Sequence, residues 1–341
     1  MGKLTLEDVA REAGVSLATV DRVVNGRAGV HARTIERVQA AIRQLDFRPD
    51  RHASRLARGR NYDFRILLPS GENDFMKILA AEFRQTDVRM RQERVEIGLT
   101  EVDVFDGAAL AAALDALPRT IDGAAVIALD HPAVAEAVNG LSDAGVPVLT
   151  LVSDLPQTRR ARFVGIDNFA AGRTAASLVG RLTAGRSGKV GLIAGSLALR
   201  DHIERHSGFE QVLALEYPHL EVLPVREGRD ENARVEAAAA QLLAENSDLV
   251  ALYNVGGGQL GVVNALEASG RAKEVVFVAH ELTPLSRRQL MRGTIDAIIN
   301  QDAGHMARSV ARILLALREG DPIVTAQERI RIEIFLRDNL P

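Results

Sequence analysis

Two adjacent acid–imidazole pairs, Asp201-His202 and His280-Glu281, are the residues of this chain best suited by type to move protons. Ser196 follows Gly195 after an apolar run, but the Gly-x-Ser-x-Gly elbow that would activate it is absent. The chain has no cysteine, which excludes a thiol nucleophile, a disulfide framework and any Cys-ligated zinc or iron–sulfur site. The two pairs therefore read more readily as ligand contacts or surface groups than as a catalytic machine. Gly256-Gly-Gly-Gln-Leu-Gly261 fits Gly-x-Gly-x-x-Gly, follows a strand-like run, opens a helix-like one, and has Glu281 20 residues beyond. That is the spacing of a dinucleotide-binding turn, and it supports an NAD-dependent oxidoreductase as the alternative reading. Asn254-Val255 between the run and the first glycine, and the late position in the chain, weigh against it.

The elements that must position such groups are set by length and charge. At 341 residues the chain is long enough for two or three domains. Hydrophobic residues at 47% and charged residues at 26% are ordinary globular values, so collagen-like and largely disordered classes are excluded. No apolar run approaches the ~20 residues of a membrane span. The N-terminus has Glu7 and Asp8 and no apolar core, unlike a secretory signal, so the expected compartment is the cytoplasm, with no membrane partner. The charge is uneven: residues 1–60 carry a net +5 and the rest of the chain −8, within an overall −3. A basic head on an acidic body is the electrostatic footprint of nucleic-acid binding.

The head reads as a helix-turn-helix. Thr5-Leu-Glu-Asp8 is a capping-box start, and Val9, Ala10 and Ala13 give one apolar face. Gly14 stops this helix and Ser16 caps the next. Along the second helix Val20, Val23 and Val24 face inward, leaving Leu17, Ala18, Asp21 and Arg22 outward. Asn25-Gly26 breaks it, and a third helix is expected near Ala32–Leu45. Two short helices joined by a glycine turn can place the second in a DNA major groove, or can form a small three-helix packing unit with no DNA role. Pro49 to Arg60 then reads as a linker able to become a helix, with Arg51, Arg55, Arg58 and Arg60 making it strongly basic.

The run Thr5-Leu-Glu-Asp-Val-Ala-Arg-Glu-Ala-Gly-Val-Ser-Leu-Ala-Thr-Val-Asp-Arg-Val-Val-Asn25 resembles the opening of the lac repressor (LacI/GalR) family, and the match continues through Arg48-Pro49 to Leu56 and Arg60. The resemblance implies that the second helix reads bases. Leu17, Ala18 and Arg22 would face base edges, with Arg22 suited to guanine O6/N7. Thr19 and Asn25 would contact the DNA backbone. Leu56 matches the leucine that a hinge helix wedges into the minor groove. Asp21 and His31 depart from the family, which usually has Ser at the first position and often a Ser cap for the third helix at the second. The implied protein is a transcriptional regulator, a repressor by expectation and not an enzyme. It would bind a double-stranded operator as a homodimer, with two heads about one helical turn apart.

From Phe64 onward, apolar runs alternate with helical stretches, which argues α/β with parallel sheets. Strands are expected at Phe64–Leu68, Val95–Val102, Ala124–Ala128, Val146–Leu149, Lys189–Ile193, Leu220–Val225, Leu249–Tyr253, Val275–Ala279 and Ala297–Ile299. Nine strands exceed one doubly wound sheet, so two lobes are expected, with a ligand outside the strand carboxyl ends. The resemblance extends here, to a domain similar to periplasmic sugar-binding proteins. It implies a head at 1–47, a hinge at 48–61 and an effector domain at 62–341. Lobe 1 would take about 62–162 and 300–325, and lobe 2 about 163–299 and 326–341. Sugar hydroxyls each donate and accept, so their site needs carboxylates, amides, Arg and an aromatic wall. The positions matching the family are Asn73, Phe75, Asp154, Asp167, Arg205, Asn254, Glu281 and Gln301. The effector expected is a sugar or polyol, with a purine or nucleoside as a variation. No cofactor or metal is called for.

Overall fold

The computed structural model describes residues 4–24, 28–47 and 60–341. The chain divides into two units, Met1–Asn61 and Tyr62–Pro341.

The first unit holds α1 (Leu6–Ala13), α2 (Leu17–Val24) and α3 (Ala32–Gln44). Thr5 and Asp8 form a reciprocal cap: the Asp8 N–H donates to the Thr5 hydroxyl and the Thr5 N–H donates to the Asp8 carboxylate at 2.9 Å. Gly14 ends α1 at φ +59, where a side chain would be strained. Arg37 of α3 clamps this turn by donating to the carbonyls of Ala13 and Gly14 at 2.5 and 3.0 Å. The Ser16 hydroxyl accepts from the Thr19 N–H at 3.2 Å and starts α2. Val9, Ala10, Ala13, Val20, Val38, Ala41 and Phe47 make the small core. His31 precedes α3 with no side-chain cap bond.

The second unit is built on two sheets. The first runs β2 (Val95–Val102), β1 (Tyr62–Pro69), β3 (Gly123–Val126), β4 (Val148–Leu151), β5 (Arg162–Val164), all parallel. The second runs β12 (Glu333–Phe335), β11 (Ala297–Asn300), β10 (Val276–His280), β9 (Leu249–Asn254), β6 (Gly188–Ala194), β7 (Leu220–Val222), with β8 (Arg226–Glu227) also on β6. Only β12 is antiparallel, against β11. The central strands β3, β4, β9 and β10 are buried along their whole length. Helices on both faces cover them, which is why they are nearly continuous apolar runs rather than alternating ones.

The helices of lobe 1 are α4 (Asp74–Met90), α5 (Gly107–Asp115) and α6 (Pro132–Asp143); those of lobe 2 are α7 (Asn168–Leu182), α8 (Arg200–Glu216), α9 (Asn232–Glu245), α10 (Gln259–Ala268) and α11 (Pro284–Arg292). The chain crosses between lobes three times. It passes from β5 to α7, from β11 to α12 (Ala303–Glu319), which packs on α4 and β3 of lobe 1, and back after α13 (Thr325–Glu328) to β12.

Several sequence expectations shift. The fourth strand lies two residues later than Val146–Leu149, because Val146 still closes the turn after α6 by donating to the Leu141 carbonyl. The run Leu220–Val225 is strand only over β7, stopping before Pro224, which has no N–H to give a ladder, and β8 begins just beyond the run at Arg226. The strand β5 extends lobe 1 to Val164, past the boundary at 162. No helix among the described residues is long and apolar enough to cross a membrane.

Candidate functional site

The cleft between the two sheets holds a cavity of about 230 Å³, lined at the carboxyl ends of strands from both lobes. Lobe 1 brings Asn73 and Phe75 just after β1, and Asp103 and Phe105 just after β2. Lobe 2 brings Asp201, His202 and Arg205 from α8, the loop at Arg229-Asp230, the turn at Gly256-Gly257, and His280, Glu281 and Gln301 after β10 and β11.

Backbone contact between helices places Arg205. A Cβ on Gly172 of α7 would overlap the Arg205 carbonyl, and one on Gly208 of α8 would overlap the Phe169 carbonyl. The two helices therefore approach with no side chain between them. Arg205 Nε then donates to Asn168 Oδ1 at 2.9 Å and Nη1 to the Val255 carbonyl at 2.9 Å. Its Nη2 is buried with no partner in the protein. Asp201, one turn earlier, stands 3.9 Å from that nitrogen, and its Oδ1 also has no partner.

Glu281 sits at φ +70, a conformation that costs a non-glycine residue of order 1 kcal/mol. There its N–H still donates to the Ile299 carbonyl at 2.8 Å, while its carboxyl accepts from Gln301 Nε2 at 2.8 Å and from the Gln301 N–H at 3.3 Å. Burial pushes this carboxyl up to about 7; Arg205 and the Gln301 bonds only partly oppose it, and Asp201 adds to the rise. Gln301 Oε1 and His280 Nδ1 are likewise buried with no hydrogen-bond partner. Behind the site, His280 Nε2 pairs with the Tyr253 hydroxyl at 2.7 Å, and Tyr253 stacks on Phe209 with centroids 4.7 Å apart. Burial first, then Arg205 and His202, hold the His280 imidazole well below its ordinary range, so it is neutral.

At the mouth, Arg229 donates to Asp103 at 3.0 Å and its guanidinium lies 5.0 Å over the Phe105 ring. Asn73 does two jobs. Its Oδ1 caps α4 by accepting from the Phe75 and Met76 N–H groups, and its Nδ2 donates to Asp230 at 2.8 Å.

Of the eight effector positions named from sequence, the cavity brings together Asn73, Phe75, Arg205, Glu281 and Gln301. The other three do not line it. Asp154 is held by Arg160, with Oδ2 accepting at 2.6 Å, and by the Thr150 hydroxyl, so it fixes the loop after β4. Asp167 caps α7 by accepting from the Ala170 N–H at 2.9 Å. Asn254 lies beneath the glycine turn and donates to the Gly257 carbonyl at 2.8 Å. Asp103, Phe105, Arg229 and Asp230 were not named from the sequence. The strand-end rule reaches the first two, while Arg229 and Asp230 follow the short β8 and carry no motif. His202 and His206 stand four residues apart on α8, a spacing that suits a metal. His206 pairs with Glu210 at 3.1 Å, however, and His202 Nδ1 faces the Ser196 backbone. Among the described residues no three His, Cys, Asp or Glu side chains converge as a metal site.

In the head, Leu17, Ala18 and Arg22 are exposed along one side of α2, and Thr19 is half-buried with its hydroxyl 2.9 Å from that of Ser16. Asn25 and Leu56 lie outside the described residues.

Comparison with known proteins places these two units. Residues 5–50 match the bacterial regulatory proteins of the lacI family, and residues 64–322 match the periplasmic binding protein domain. The chain is 29% identical over 276 residues to the catabolite control protein A of Streptococcus mutans, covering 79% of this chain and 78% of that one. It is 32% identical over 151 residues to the fructose operon regulatory protein of Vibrio cholerae, 43% and 45% of the two chains. The fold of the second unit is similar to a glucose-galactose binding protein from Geobacillus stearothermophilus, with a TM-score of 0.73, 22% identity, and coverage of 83% of this chain and 99% of that one. A solute binding protein from Burkholderia graminis in complex with D-arabinose superposes equally, at 0.73 and 22% identity over 82% and 96% of the chains. The dinucleotide reading of the glycine turn gives way accordingly, since this family consists of DNA-binding regulators rather than enzymes. Residues 64–322 belong to the periplasmic binding protein domain family and are joined to a head of the lacI family of bacterial regulatory proteins, the make-up of a DNA-binding regulator with a small-molecule effector domain.

Proposed function

We propose that this regulator is a cytoplasmic repressor that binds its operator as a homodimer and responds to a sugar or polyol held in the interlobe cavity. One observation carries the effector class. Asp201 Oδ1, Arg205 Nη2 and Gln301 Oε1 belong to residues only 3%, 3% and 2% exposed, line one cavity, and lack hydrogen-bond partners in the protein. Two acceptors and a donor in one place suit vicinal hydroxyls, each of which gives one hydrogen bond and takes another. Phe75 supplies an apolar wall for a ring face. On the DNA side, Leu17, Ala18 and Arg22 read base edges, Thr19 and Asn25 hold the backbone, and Leu56 enters the minor groove. Effector binding closes the lobes and shifts the dimer between geometries that allow and forbid operator docking, a coupling typically about 1–3 kcal/mol.

The test is a thermal-melt panel of sugars, polyols and nucleosides on the full chain, followed by operator titration with each compound that stabilises it. A sugar or polyol is expected both to raise the melting temperature and to change operator affinity. Stabilisation by a nucleoside alone, or by nothing in the panel, refutes the effector assignment.

A further inference from the structure

Asp230 has a setting unlike that of the other acids in the cleft. It follows Arg229, and the two stand at φ +59 and +50. Its Oδ1 accepts from the Gly257 N–H at 2.8 Å, and its Oδ2 accepts from Asn73 Nδ2 at 2.8 Å. Glycines close around this carboxylate. A Cβ on Gly256 would stand 2.6 Å from Oδ1, one on Gly257 would stand 2.9 Å from the Asp230 Cβ, and one on Gly195 would overlap Oδ1. Gly256 and Gly257 belong to the turn that opens α10. A turn of this kind, with a backbone N–H exposed at a helix start and no side chain in the way, is where proteins seat a phosphate or a carboxylate. Here a carboxylate of the chain itself is seated. The dinucleotide-like spacing then has a physical reason: the glycines make room for an anion, and that anion is Asp230.

The cations of the cleft do not offer a second anion seat. Arg229 is engaged by Asp103 at 3.0 Å. Arg205 uses Nε and Nη1 on Asn168 and Val255, which leaves a single nitrogen facing Asp201. A phosphate or carboxylate ligand is best held by two parallel N–H groups of one guanidinium; Arg205 has one nitrogen left, and Arg229 is already shared between Asp103 through Nη2 and Glu231, 3.8 Å from Nε. Six carboxyl side chains line the cavity against two guanidinium groups. The cleft potential is therefore negative.

We propose that Asp230 is a resident anion filling the glycine cradle, and that it restricts the effector to uncharged polyhydroxy compounds, excluding their phosphorylated and carboxylated counterparts. This rests on the reading of the cavity as a sugar or polyol site and names the charge class that site accepts.

The test uses the full chain and matched probes in titration calorimetry: glucose with glucose 6-phosphate and glucuronate, ribose with ribose 5-phosphate, and mannitol with mannitol 1-phosphate. At least one uncharged member is expected to bind, with its anionic counterparts at least about tenfold weaker and the gap widening at low salt. In Asp230→Asn, which removes the charge and tolerates positive φ, that preference is expected to shrink at least about tenfold. The ratio is the readout because the bond from Asn73 to Asp230 joins the lobes, and its loss weakens both members of a pair alike. Asp230→Gly relieves any backbone strain, opens the cradle, and is expected to gain binding of inorganic phosphate. An anionic probe that binds the parent chain as tightly as its uncharged partner overturns the inference while leaving the sugar reading standing. An unchanged ratio in Asp230→Asn together with no phosphate binding by Asp230→Gly overturns the role of Asp230. Failure of every probe to bind overturns the sugar reading, and this inference with it.

Discussion

Replacing Glu281 by Gln should flatten one segment of the protein's stability against pH. The carboxyl titrates near the ordinary 4.5 of a glutamate in the unfolded chain and at about 7 in the folded one. Below pH 4.5 both states hold the proton. Between 4.5 and about 7 the unfolded state has lost it and the folded state keeps it, so stability falls with each unit of pH; above about 7 both are ionised and the loss is complete. At about 1.4 kcal/mol per unit, the shift amounts to roughly 3 kcal/mol. Gln carries no charge to bury. Its amide can meet Gln301 if that side chain turns over, because Gln301 Oε1 has no other partner. Glu281→Gln should therefore melt close to the parent at pH 5 and higher at pH 8, by roughly 6 °C at about 2 °C per kcal/mol for a domain of this size. Calorimetric melts of both chains across pH 5 to 8 measure the difference, in which every other titrating group cancels. Melting temperatures that run parallel across that range would refute the buried, proton-holding carboxyl.

Other expectations are read from the same geometry. Arg22→Ala should weaken operator binding at least about tenfold, since a bidentate arginine–guanine contact is worth about 1–3 kcal/mol, and it should do so without moving the melting temperature; gel-shift titration at two salt concentrations checks both. Arg205→Ala strips Asn168 Oδ1 and the Val255 carbonyl of a buried donor each, at about 1–3 kcal/mol apiece. It should lower stability in denaturant titration and abolish the melting shift given by the effector, while any retained effector shift places the ligand elsewhere. Gly172→Ala pushes a methyl into the Arg205 carbonyl, a backbone atom that cannot swing aside. A loss of about 3 kcal/mol with weakened effector binding is expected, and a neutral outcome in denaturant titration contradicts the backbone contact between α7 and α8.

Much of the architecture is legible in the residues because apolar period and capping agree with the fold. The Thr5 to Asp8 box, the stop at Gly14 and the run Val95–Val102 all fall where the pattern puts them. Helix α8 is harder to read, and the reason is functional. Its buried face carries Asp201, His202 and Arg205 as well as Phe209 and Val212, so polar side chains that serve the cavity interrupt the apolar stripe. Strands β5 and β12 are three residues long at sheet edges, too short for alternation to register. In the site, the family resemblance finds Arg205, Glu281 and Gln301, and strand-end position independently supports the last two. It also picks out Asp154 and Asp167, because a carboxylate after a strand serves as well to cap a helix or pin a loop as to meet a ligand. Asp230 is unreadable in advance. Its role comes from glycines at 195, 256 and 257 that meet only in three dimensions.

The three chain crossings between the lobes have a mechanical consequence. A single strand would let one half slide, twist or swing against the other, whereas three separate connections remove sliding and most twisting, leaving rotation about one axis as the soft motion. Displacement under a rotation grows with distance from the axis. A gap of a few tenths of an ångström taken up around a small guest beside the pivot therefore emerges as a several-fold larger excursion at the outer rims of the two halves.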